Sequence, residues 1–264
     1  MAVSESTVAD WAGPAHNLLA GRTVLVTAAA GTGIGYATAR RCAEEGARVA
    51  ISDRHERRLA EAADRLAELT GVRPLAVPCD VTDQRQIDHL MDVVAAEYGG
   101  IDVLVNNAGL GGTASVLEMT DEQWDSVLAV TLTATFKATR SVLRHMVPRR
   151  RGVIINNASV LGWRAQAGQA HYAAAKAGVM AFTRCAAMDV APYGIRINAV
   201  APSIAIHPHL AKVTSEELLA ELAAREAFGR AAQPWEIANV IVFLASDYSS
   251  YMTGEVVSVS SQHP

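Results

Sequence analysis

The stretch that decides the fold is TVLVTAAAGTGIGY, residues 23–36. It joins an apolar run, which predicts a strand ending at Thr27, to closely spaced glycines and a helical pattern that begins at Tyr36. A glycine-rich turn between a strand and a helix lets backbone N–H groups approach a phosphate, and the helix N-terminus adds about half a positive charge. We expect side chains at these glycines to obstruct that approach or to require a positive φ. The residues predicted to surround the phosphates are Thr27, Gly31, Thr32, Gly33, Ile34 and Gly35.

Apolar runs of the same kind recur along the chain and are separated by stretches with helical spacing. They are rich in β-branched residues and nearly continuous, as strands covered on both faces must be. Seven such runs joined by helices predict right-handed crossovers and one doubly wound parallel sheet in an α/β fold. The predicted strands centre on residues 24–26, 49–51, 75–77, 103–105, 153–155, 195–200 and 256–257. We expect residues 1–20 to be a lead-in and residues 21–264 to form a single domain.

Composition excludes several classes of function. The 264 residues are 50% hydrophobic and 19% charged, with a formal net charge of −4, so the chain has ample core and no basic footprint for nucleic acid. The sequence has no apolar run of the roughly 18 residues that cross a bilayer, and no secretory signal pattern begins it. Three scattered cysteines favour neither a disulfide framework nor a zinc site, so we expect a reducing, cytoplasmic location.

A carboxylate, Asp53, ends the second predicted strand about 20 residues beyond the glycine loop. At that place a carboxylate accepts hydrogen bonds from both hydroxyls of an adenosine ribose and repels a 2′-phosphate. Arg54 beside it could instead bind that 2′-phosphate and so favour NADP. Because the acid stands directly at the strand end, we predict NAD as the cofactor, with NADP as the alternative. A simple helix N-cap is the structural alternative for Asp53.

The second informative stretch is HYAAAK, residues 171–176, in an alanine-rich helical context. Tyr172 and Lys176 are four residues apart, about 6 Å along a helix, so their side chains share a face. A tyrosine acts as acid or base near neutrality only if its pKa of about 10 falls by about 3 units. A nearby ammonium achieves this only in a site shielded from water, with an oxidised nicotinamide adding a second positive charge. Ser159, after the fifth strand, can hold a substrate oxygen beside the tyrosine, or it can simply cap a turn.

With these residues the chain resembles the classical group of short-chain dehydrogenases/reductases, from residue 23 to about residue 260. The matching motifs are the glycine loop, Asp80-Val81, Asn106-Asn107-Ala108-Gly109, Ser159, Tyr172, Lys176, Pro202 and Thr253-Gly254-Glu255. The resemblance implies a Rossmann-type fold and reversible hydride transfer between a nicotinamide and an alcohol or carbonyl carbon. Tyr172 would be the general acid/base, Ser159 would orient the substrate oxygen, and Lys176 would bind the nicotinamide ribose and lower the tyrosine pKa.

The resemblance also implies further contacts and an assembly. The implied cofactor contacts are Asp80, Val81, Asn107, Ala108, Gly109, Pro202 and Ile204. Members of this family are commonly tetramers, so we expect a homotetramer or homodimer.

The chain departs from the family pattern at four places. Ala28 occupies a position that is usually glycine, and the loop from there to Gly33 is one residue longer. Thr131 replaces the helix asparagine that usually holds a water in a proton relay, and we predict that Thr131 or a nearby group takes over this role. After the sixth strand Ser203 stands where glycine is common, and the last strand runs through residues 258–261 where the family usually ends it in Asp-Gly-Gly.

Residues 203–229 are expected to cover the substrate and to contain an amphipathic helix from residue 215 to 227. The predicted substrate contacts are Trp163, Gln169 and His207, the last in place of a usual threonine. A large ring and an amide favour a bulky, mostly apolar substrate with a polar handle, although Trp163 can also be a core residue. His207 and His209 lack a third ligand at suitable spacing, so no metal is expected.

The loops at residues 157–163 and 202–205 resemble those of actinobacterial reductases associated with steroid-ring breakdown. This implies an alicyclic, steroid-derived or CoA-thioester substrate. A 3-oxoacyl-thioester (acyl-carrier) reductase that uses NADPH is the alternative enzyme, and Asp53 argues against it. A dinucleotide-sensing regulator is the alternative of another class, but such proteins generally lack the tyrosine–lysine pair that this chain keeps.

Overall fold

A computed structural model describes residues 15–205 and 216–261 of the chain. In this part of the molecule seven parallel strands form one sheet in the order β3-β2-β1-β4-β5-β6-β7, which confirms the predicted doubly wound α/β fold. The strands are β1 (Thr23–Thr27), β2 (Arg48–Asp53), β3 (Leu75–Pro78), β4 (Val103–Asn106), β5 (Gly152–Asn157), β6 (Ile195–Pro202) and β7 (Val256–Val259).

Helices cover both faces of the sheet. They are α1 (Ile34–Glu44), α2 (Glu56–Thr70), α3 (Gln84–Tyr98), α4 (Asp121–Leu128), α5 (Ala134–Met146), α6 (Ala170–Val190), α7 (Glu216–Ala224) and α8 (Pro234–Ala245). Successive strand side chains point to opposite faces. Val24 and Val26 therefore pack in one core with Ile241 of α8, whereas Leu25 packs in the other with Leu90 of α3. Burial on both faces explains why the strands are apolar at nearly every position.

One predicted helix differs from the one observed, and a π turn, Ala129–Thr133, separates α4 from α5. The helix predicted over residues 215–227 ends at Ala224. His207 and His209 lie outside the described residues. No helix in the two described ranges is long and apolar enough to cross a lipid bilayer.

Candidate active site

The C-terminal ends of β1, β4, β5 and β6 lie side by side and carry most of the predicted site residues. β1 and β4 are neighbours in the sheet although they are not consecutive in the chain. The crossovers leaving these two strands run in opposite directions, which opens the crevice where doubly wound sheets bind their ligands. Asn106 pairs with Asn156 in the β4–β5 register, so the turns that follow these strands stand next to each other.

The three predicted catalytic side chains meet at this edge. Lys176 Nζ lies 5.5 Å from the centre of the Tyr172 ring, one turn away on α6. The Ser159 hydroxyl is a hydrogen-bond partner of the Tyr172 phenol. Lys176 is 2% exposed, and its Nζ donates to the backbone carbonyl of Asn157 at 2.5 Å. Ser159 also caps a short turn by accepting from the Leu161 N–H. The turn-capping role given above as the alternative for Ser159 therefore accounts for one of its two contacts.

Burial changes the pKa of both members of the tyrosine–lysine pair. It raises the pKa of Tyr172 to about 12, and the hydrogen bond with Ser159 opposes it only in part. It lowers the pKa of Lys176 to about 8. The protein by itself therefore moves the phenol pKa in the direction opposite to the one expected for the cofactor-bound site. The cause is desolvation, which disfavours the charged form of each group.

In the glycine loop, the residue with a positive φ is not one of the predicted glycines. Gly31, Gly33 and Gly35 all avoid positive φ, whereas Ala28 has a φ of 53°. A Cβ on Gly35 would lie 2.5 Å from Asn107 Nδ2 and 2.6 Å from the Ala28 carbonyl oxygen. A Cβ on Gly31 would meet only the Gly33 nitrogen, at 3.9 Å. The expectation of a positive φ at these glycines was therefore wrong, and Gly35 is tightly packed against its neighbours. Obstruction of a phosphate by side chains at these positions stays a prediction.

Thr27 joins the first strand to the turn after β4. Its hydroxyl accepts from the backbone N–H groups of Asn107 and Ala108, at 3.0 and 3.2 Å, and donates to a carbonyl of β4 at 3.3 Å. The hydroxyl thus fixes the floor of the crevice. Thr32 is exposed at the tip of the loop, and Ile34 is half-buried in the first turn of α1. The N-cap position of α1 makes no side-chain cap, which leaves the first helical N–H groups to the loop and its ligand.

Asn157 is a site residue that the sequence analysis missed. Asn107 Nδ2 donates to the carbonyls of Thr27 and Ala28, both at 3.1 Å, and Asn157 Nδ2 donates to Asn107 Oδ1 at 3.0 Å. Because the Asn157 carbonyl also accepts from Lys176, this residue connects the glycine loop to the catalytic lysine. Its own Oδ1 is buried without a hydrogen-bond partner among the described residues. The Asn-Asn dipeptide at the ends of both strands was the available signal.

A second asparagine pair occupies the opposite face of the sheet. Asn106 Nδ2 donates to Asn156 Oδ1 at 2.9 Å and to Thr139 of α5 at 3.1 Å. Asn156 Nδ2 donates to Thr183 of α6 at 2.9 Å. All four side chains are buried, and each amide finds a partner in the other strand or in the helix above it.

Asp53 lies at the end of β2 against the glycine loop. Its carboxylate accepts from the backbone of Ala30 in that loop, and its Oδ1 accepts from the His55 N–H at 3.0 Å. Burial holds the pKa of this carboxyl above its usual value, against its hydrogen bonds and the charges of Arg58 and Arg54. Arg54 is exposed. The N-cap of α2 is His55, so the simple cap interpretation of Asp53 was wrong.

Asp80 and Val81 occupy different surroundings after β3. One carboxylate oxygen of Asp80 accepts from the N–H and the hydroxyl of Thr82, at 2.9 and 2.8 Å. Val81 lines a cavity of about 10 Å³ together with Thr27 and Ala108, which is room for one water molecule. Val81 therefore borders the crevice floor, while the Asp80 side chain organises its own turn.

Thr131 lies in the π turn between α4 and α5. Its hydroxyl donates to the Leu110 carbonyl at 3.3 Å and accepts from the Leu110 N–H at 3.1 Å. A Cβ on Gly109 would lie 3.4 Å from Lys176 Nζ and 4.0 Å from Thr131 Oγ1, so the three residues are close neighbours. The helix therefore opens here without the usual asparagine. The Thr131 hydroxyl holds the loop after β4, and its part in proton relay stays a prediction.

Two of the three predicted substrate contacts fall within the described residues. Trp163 is 44% exposed, so the interpretation as a core residue was wrong. Gln169 Nε2 donates to the Gly112 carbonyl at 2.8 Å and to Thr113 Oγ1 at 3.2 Å, so its amide group fixes the loop after β4. His207 lies outside the described residues.

A cavity of about 680 Å³ opens between residues 113–116, residues 165–170 and the first turn of α6. Gly111 lies in the loop after β4, two residues before the cavity lining begins. It is close to the predicted catalytic tyrosine, because a Cβ on it would lie 3.9 Å from Tyr172 Cδ2. This volume is in the range that holds a small organic ligand, roughly 300–1,000 Å³.

The end of β6 completes the edge. Pro202 is the last residue of β6, and the Ile204 carbonyl accepts from the Ala232 N–H at 2.9 Å. The two described ranges contain no group of three His, Cys, Asp or Glu side chains that could hold a metal ion.

A doubly wound sheet with a serine, a tyrosine and a lysine gathered at its crevice defines a nicotinamide-dependent oxidoreductase acting on CH–OH groups. The chain belongs to the short-chain dehydrogenase/reductase family, and a family model described as enoyl-(acyl carrier protein) reductase matches residues 28–261.

Three relatives illustrate the likeness. A (5R,7aS)-5-hydroxy-7a-methyl-1-oxo-2,3,5,6,7,7a-hexahydro-1H-indene-carboxyl-CoA reductase of Mycobacterium tuberculosis is 64% identical over 94% of this chain and 95% of its own length. A cis-4-hydroxycyclohexanecarboxylate dehydrogenase of Sinomonas cyclohexanicum is 44% identical over 90% of this chain and 94% of its own. The crystal structure of a short chain dehydrogenase from Mycobacterium smegmatis is 58% identical, covers 96% of this chain and 97% of its own, and superposes with a TM-score of 0.85.

Proposed function

We propose that this protein is an NAD(H)-dependent oxidoreductase that interconverts a secondary alcohol and a ketone on a bulky, largely apolar alicyclic substrate. The observation that carries the proposal is the convergence of Ser159, Tyr172 and Lys176 at the sheet edge, next to the glycine loop. A hydrogen-bonded serine and tyrosine beside a buried lysine form a proton donor–acceptor arrangement for an oxygen on carbon.

The residues at the crevice fit a nicotinamide dinucleotide. Gly35 lets the start of α1 pack closely against Asn107 and Ala28, and the first N–H groups of α1 suit the pyrophosphate. Asp53 would hold the adenosine ribose and Lys176 the nicotinamide ribose. The Oδ1 of Asn157, which is buried without a hydrogen-bond partner among the described residues, offers a further acceptor. When bound, the nicotinamide supplies the hydride chemistry, taking a hydride from a carbinol carbon or giving one to a carbonyl carbon.

The proton chemistry belongs to the chain. In ketone reduction, the Tyr172 phenol gives its proton to the substrate oxygen while Ser159 donates a hydrogen bond that holds this oxygen in place. A pKa of about 12 keeps the phenol protonated at neutral pH but makes it a weak acid, so proton donation also requires this pKa to fall. In alcohol oxidation the phenol must first be deprotonated. That requires positive charge from Lys176 and the oxidised ring in a site closed to water.

NAD is the proposed cofactor because a carboxylate stands where the adenosine ribose is expected. The Asp53 carboxylate lies beside the loop backbone at Ala30, where a 2′-phosphate would meet a negative charge. The alternative, a 3-oxoacyl-thioester reductase with NADPH, requires Arg54 or Arg58 to offset this charge.

The alicyclic substrate is proposed from the relatives and from the cavity between the loop after β4 and the start of α6, whose lining includes Ala173, the residue after Tyr172. Both curated relatives are named for a hydroxyl group on a carbon ring that also carries a carboxyl or carboxyl-CoA group. The cavity of about 680 Å³ is large enough for a ring system. Trp163 presents an exposed apolar ring after β5.

The test is a spectrophotometric assay at 340 nm with NAD or NADP and a panel of alicyclic hydroxy acids, their CoA thioesters and 3-hydroxyacyl thioesters. We expect NAD-dependent oxidation of the ring alcohols and its loss in Tyr172→Phe, with NADH binding retained. Preference for NADP and 3-hydroxyacyl thioesters would replace the proposal with the alternative enzyme. Tight NADH binding without turnover on any alcohol or ketone would point to a regulator.

We also propose self-association, as a homotetramer or homodimer. Large apolar side chains are exposed on the connected helices α4–α5 and on α6, among them Trp124, Phe136 and Met188. Such side chains are typical of surfaces that a second subunit covers. Light scattering coupled to size exclusion tests this, and a monomer at micromolar concentration would exclude it.

A further inference from the structure

A buried carboxylate outside the catalytic cluster connects three separate parts of the chain. Glu226 follows α7 and is 6% exposed. The hydroxyls of Ser203 and Ser261 both donate to its Oε2, each at 3.0 Å. Ser203 is the residue after β6, and Ser261 lies two residues beyond the end of β7. One carboxylate oxygen thus joins the end of β6, the chain after α7 and the C-terminal segment.

Backbone hydrogen bonds reinforce this junction. The Ser203 N–H donates to the Val259 carbonyl at 3.2 Å, and the Gly229 N–H donates to the Glu226 carbonyl at 2.8 Å. The Ala232 N–H donates to the Ile204 carbonyl at 2.9 Å. Residues 203–205 are therefore fixed from both sides, by β7 and by the chain that leads into α8.

The chemistry of the junction favours a single geometry. A carboxylate removed from water is stable only if hydrogen bonds replace its hydration. Hydroxyl donors to a carboxylate form bonds about twice as strong as those between neutral groups. Both donors are serine hydroxyls that meet the same carboxylate oxygen, so the two hydroxyls and the carboxylate form one set.

We propose that Glu226 is a positioning residue for the nicotinamide end of the cofactor. It acts through Ser203, which lies between Pro202 and Ile204, two of the expected cofactor contacts. Pro202 ends β6, which pairs with β5 at the edge that carries Ser159, far along the sheet from β2 and Asp53. The adenosine and pyrophosphate half would be held elsewhere, by the glycine loop and Asp53. The inference rests on the proposed function, because it requires that this protein binds a nicotinamide dinucleotide.

The two halves of the cofactor are proposed to bind to different residues, so ligands with and without the nicotinamide can test the role of Glu226. Dissociation constants for NADH and for ADP-ribose, which lacks the nicotinamide, are measured by fluorescence and calorimetric titration. We expect Glu226→Ala to weaken NADH binding about tenfold and ADP-ribose binding less than twofold. Glu226→Gln, whose amide oxygen still accepts from the serines, should stay within threefold of wild type for both ligands. Glu221→Ala, an exposed α7 glutamate that pairs with Arg225, is the matched control and should change neither.

Ser203→Ala provides a second variant should Glu226→Ala fail to fold. It removes the donor on the nicotinamide side and should weaken NADH binding severalfold while ADP-ribose binding holds. A role in stability alone would lower the melting temperature and leave the ratio of the two dissociation constants unchanged, which would overturn the proposal. Equal losses for both ligands would do the same. A wild-type protein that binds neither ligand would instead refute the proposed function itself.

Discussion

Replacing Gly35 with alanine tests whether the narrow space at the start of α1 is fixed. The new Cβ would lie 2.5 Å from Asn107 Nδ2 and 2.6 Å from the Ala28 carbonyl oxygen. Neither neighbour retreats easily, because Asn107 Nδ2 is bonded to the carbonyls of Thr27 and Ala28 and Ala28 already has a φ of 53°. Overpacking of this kind costs about 1–3 kcal/mol, and each lost hydrogen bond adds about 1 kcal/mol. The better helix propensity of alanine returns up to about 1 kcal/mol.

We therefore expect Gly35→Ala to lower the free energy of unfolding by about 2–3 kcal/mol and to weaken NADH binding more than tenfold. Urea denaturation followed by circular dichroism gives the first quantity, and NADH fluorescence titration gives the second. Gly31→Ala is the matched control, because its Cβ would meet only the Gly33 nitrogen at 3.9 Å. It should change stability by less than about 1 kcal/mol. A Gly35→Ala protein with wild-type stability and affinity would refute the reasoning from packing.

Three further predictions concern neighbouring residues. Ala28→Gly should raise the unfolding free energy by about 0.5 kcal/mol in urea denaturation, because glycine relieves the left-handed backbone but also gains unfolded-state entropy. Lys176→Met should be inactive yet more stable at pH 7, by up to about 3 kcal/mol, since burial lowers the Lys176 pKa from 10.5 to about 8. In urea titrations that advantage should shrink between pH 8 and 10.5, where the folded wild type has lost the proton that its unfolded chain keeps; a constant difference would contradict the shift. Thr131→Ala should lower turnover and alter its pH profile while Thr131→Ser preserves both, and an unchanged profile in the alanine variant would leave Thr131 without a catalytic role.

Local patterns were sufficient for the parts of the fold and site that depend on nearby residues. The seven strands were visible because apolar runs such as residues 24–26 must be buried on both faces. The pairing of Tyr172 with Lys176 followed from helix geometry alone. Both features depend on spacing along the chain, so no knowledge of distant contacts was needed.

The remainder depends on contacts between segments far apart in the chain. The tight space at Gly35 is created by Asn107, and the left-handed residue is Ala28, so the glycine pattern alone did not show which glycine is tightly packed or where the positive φ lies. Gln169 was predicted to contact the substrate and lines the cavity of about 680 Å³, but the hydrogen bonds from its amide to the loop after β4 could not be read from its position in the sequence. The direction of the Tyr172 pKa was also missed for the protein alone, because the degree of burial cannot be read from the spacing of two residues.

The two asparagine pairs have a consequence for how the chain selects its strand alignment. β4 and β5 are apolar on both faces, so a shift of one residue would exchange valines and isoleucines at little cost in burial, and hydrophobic alternation cannot distinguish the alignments. Asn106 with Asn156 and Asn107 with Asn157 meet only in the observed one. After a one-residue shift at most one pair could re-form, leaving other buried amides unpaired at about 1–3 kcal/mol each. Four polar side chains thus specify the register of two apolar strands at the centre of the sheet, which their aliphatic neighbours do not determine.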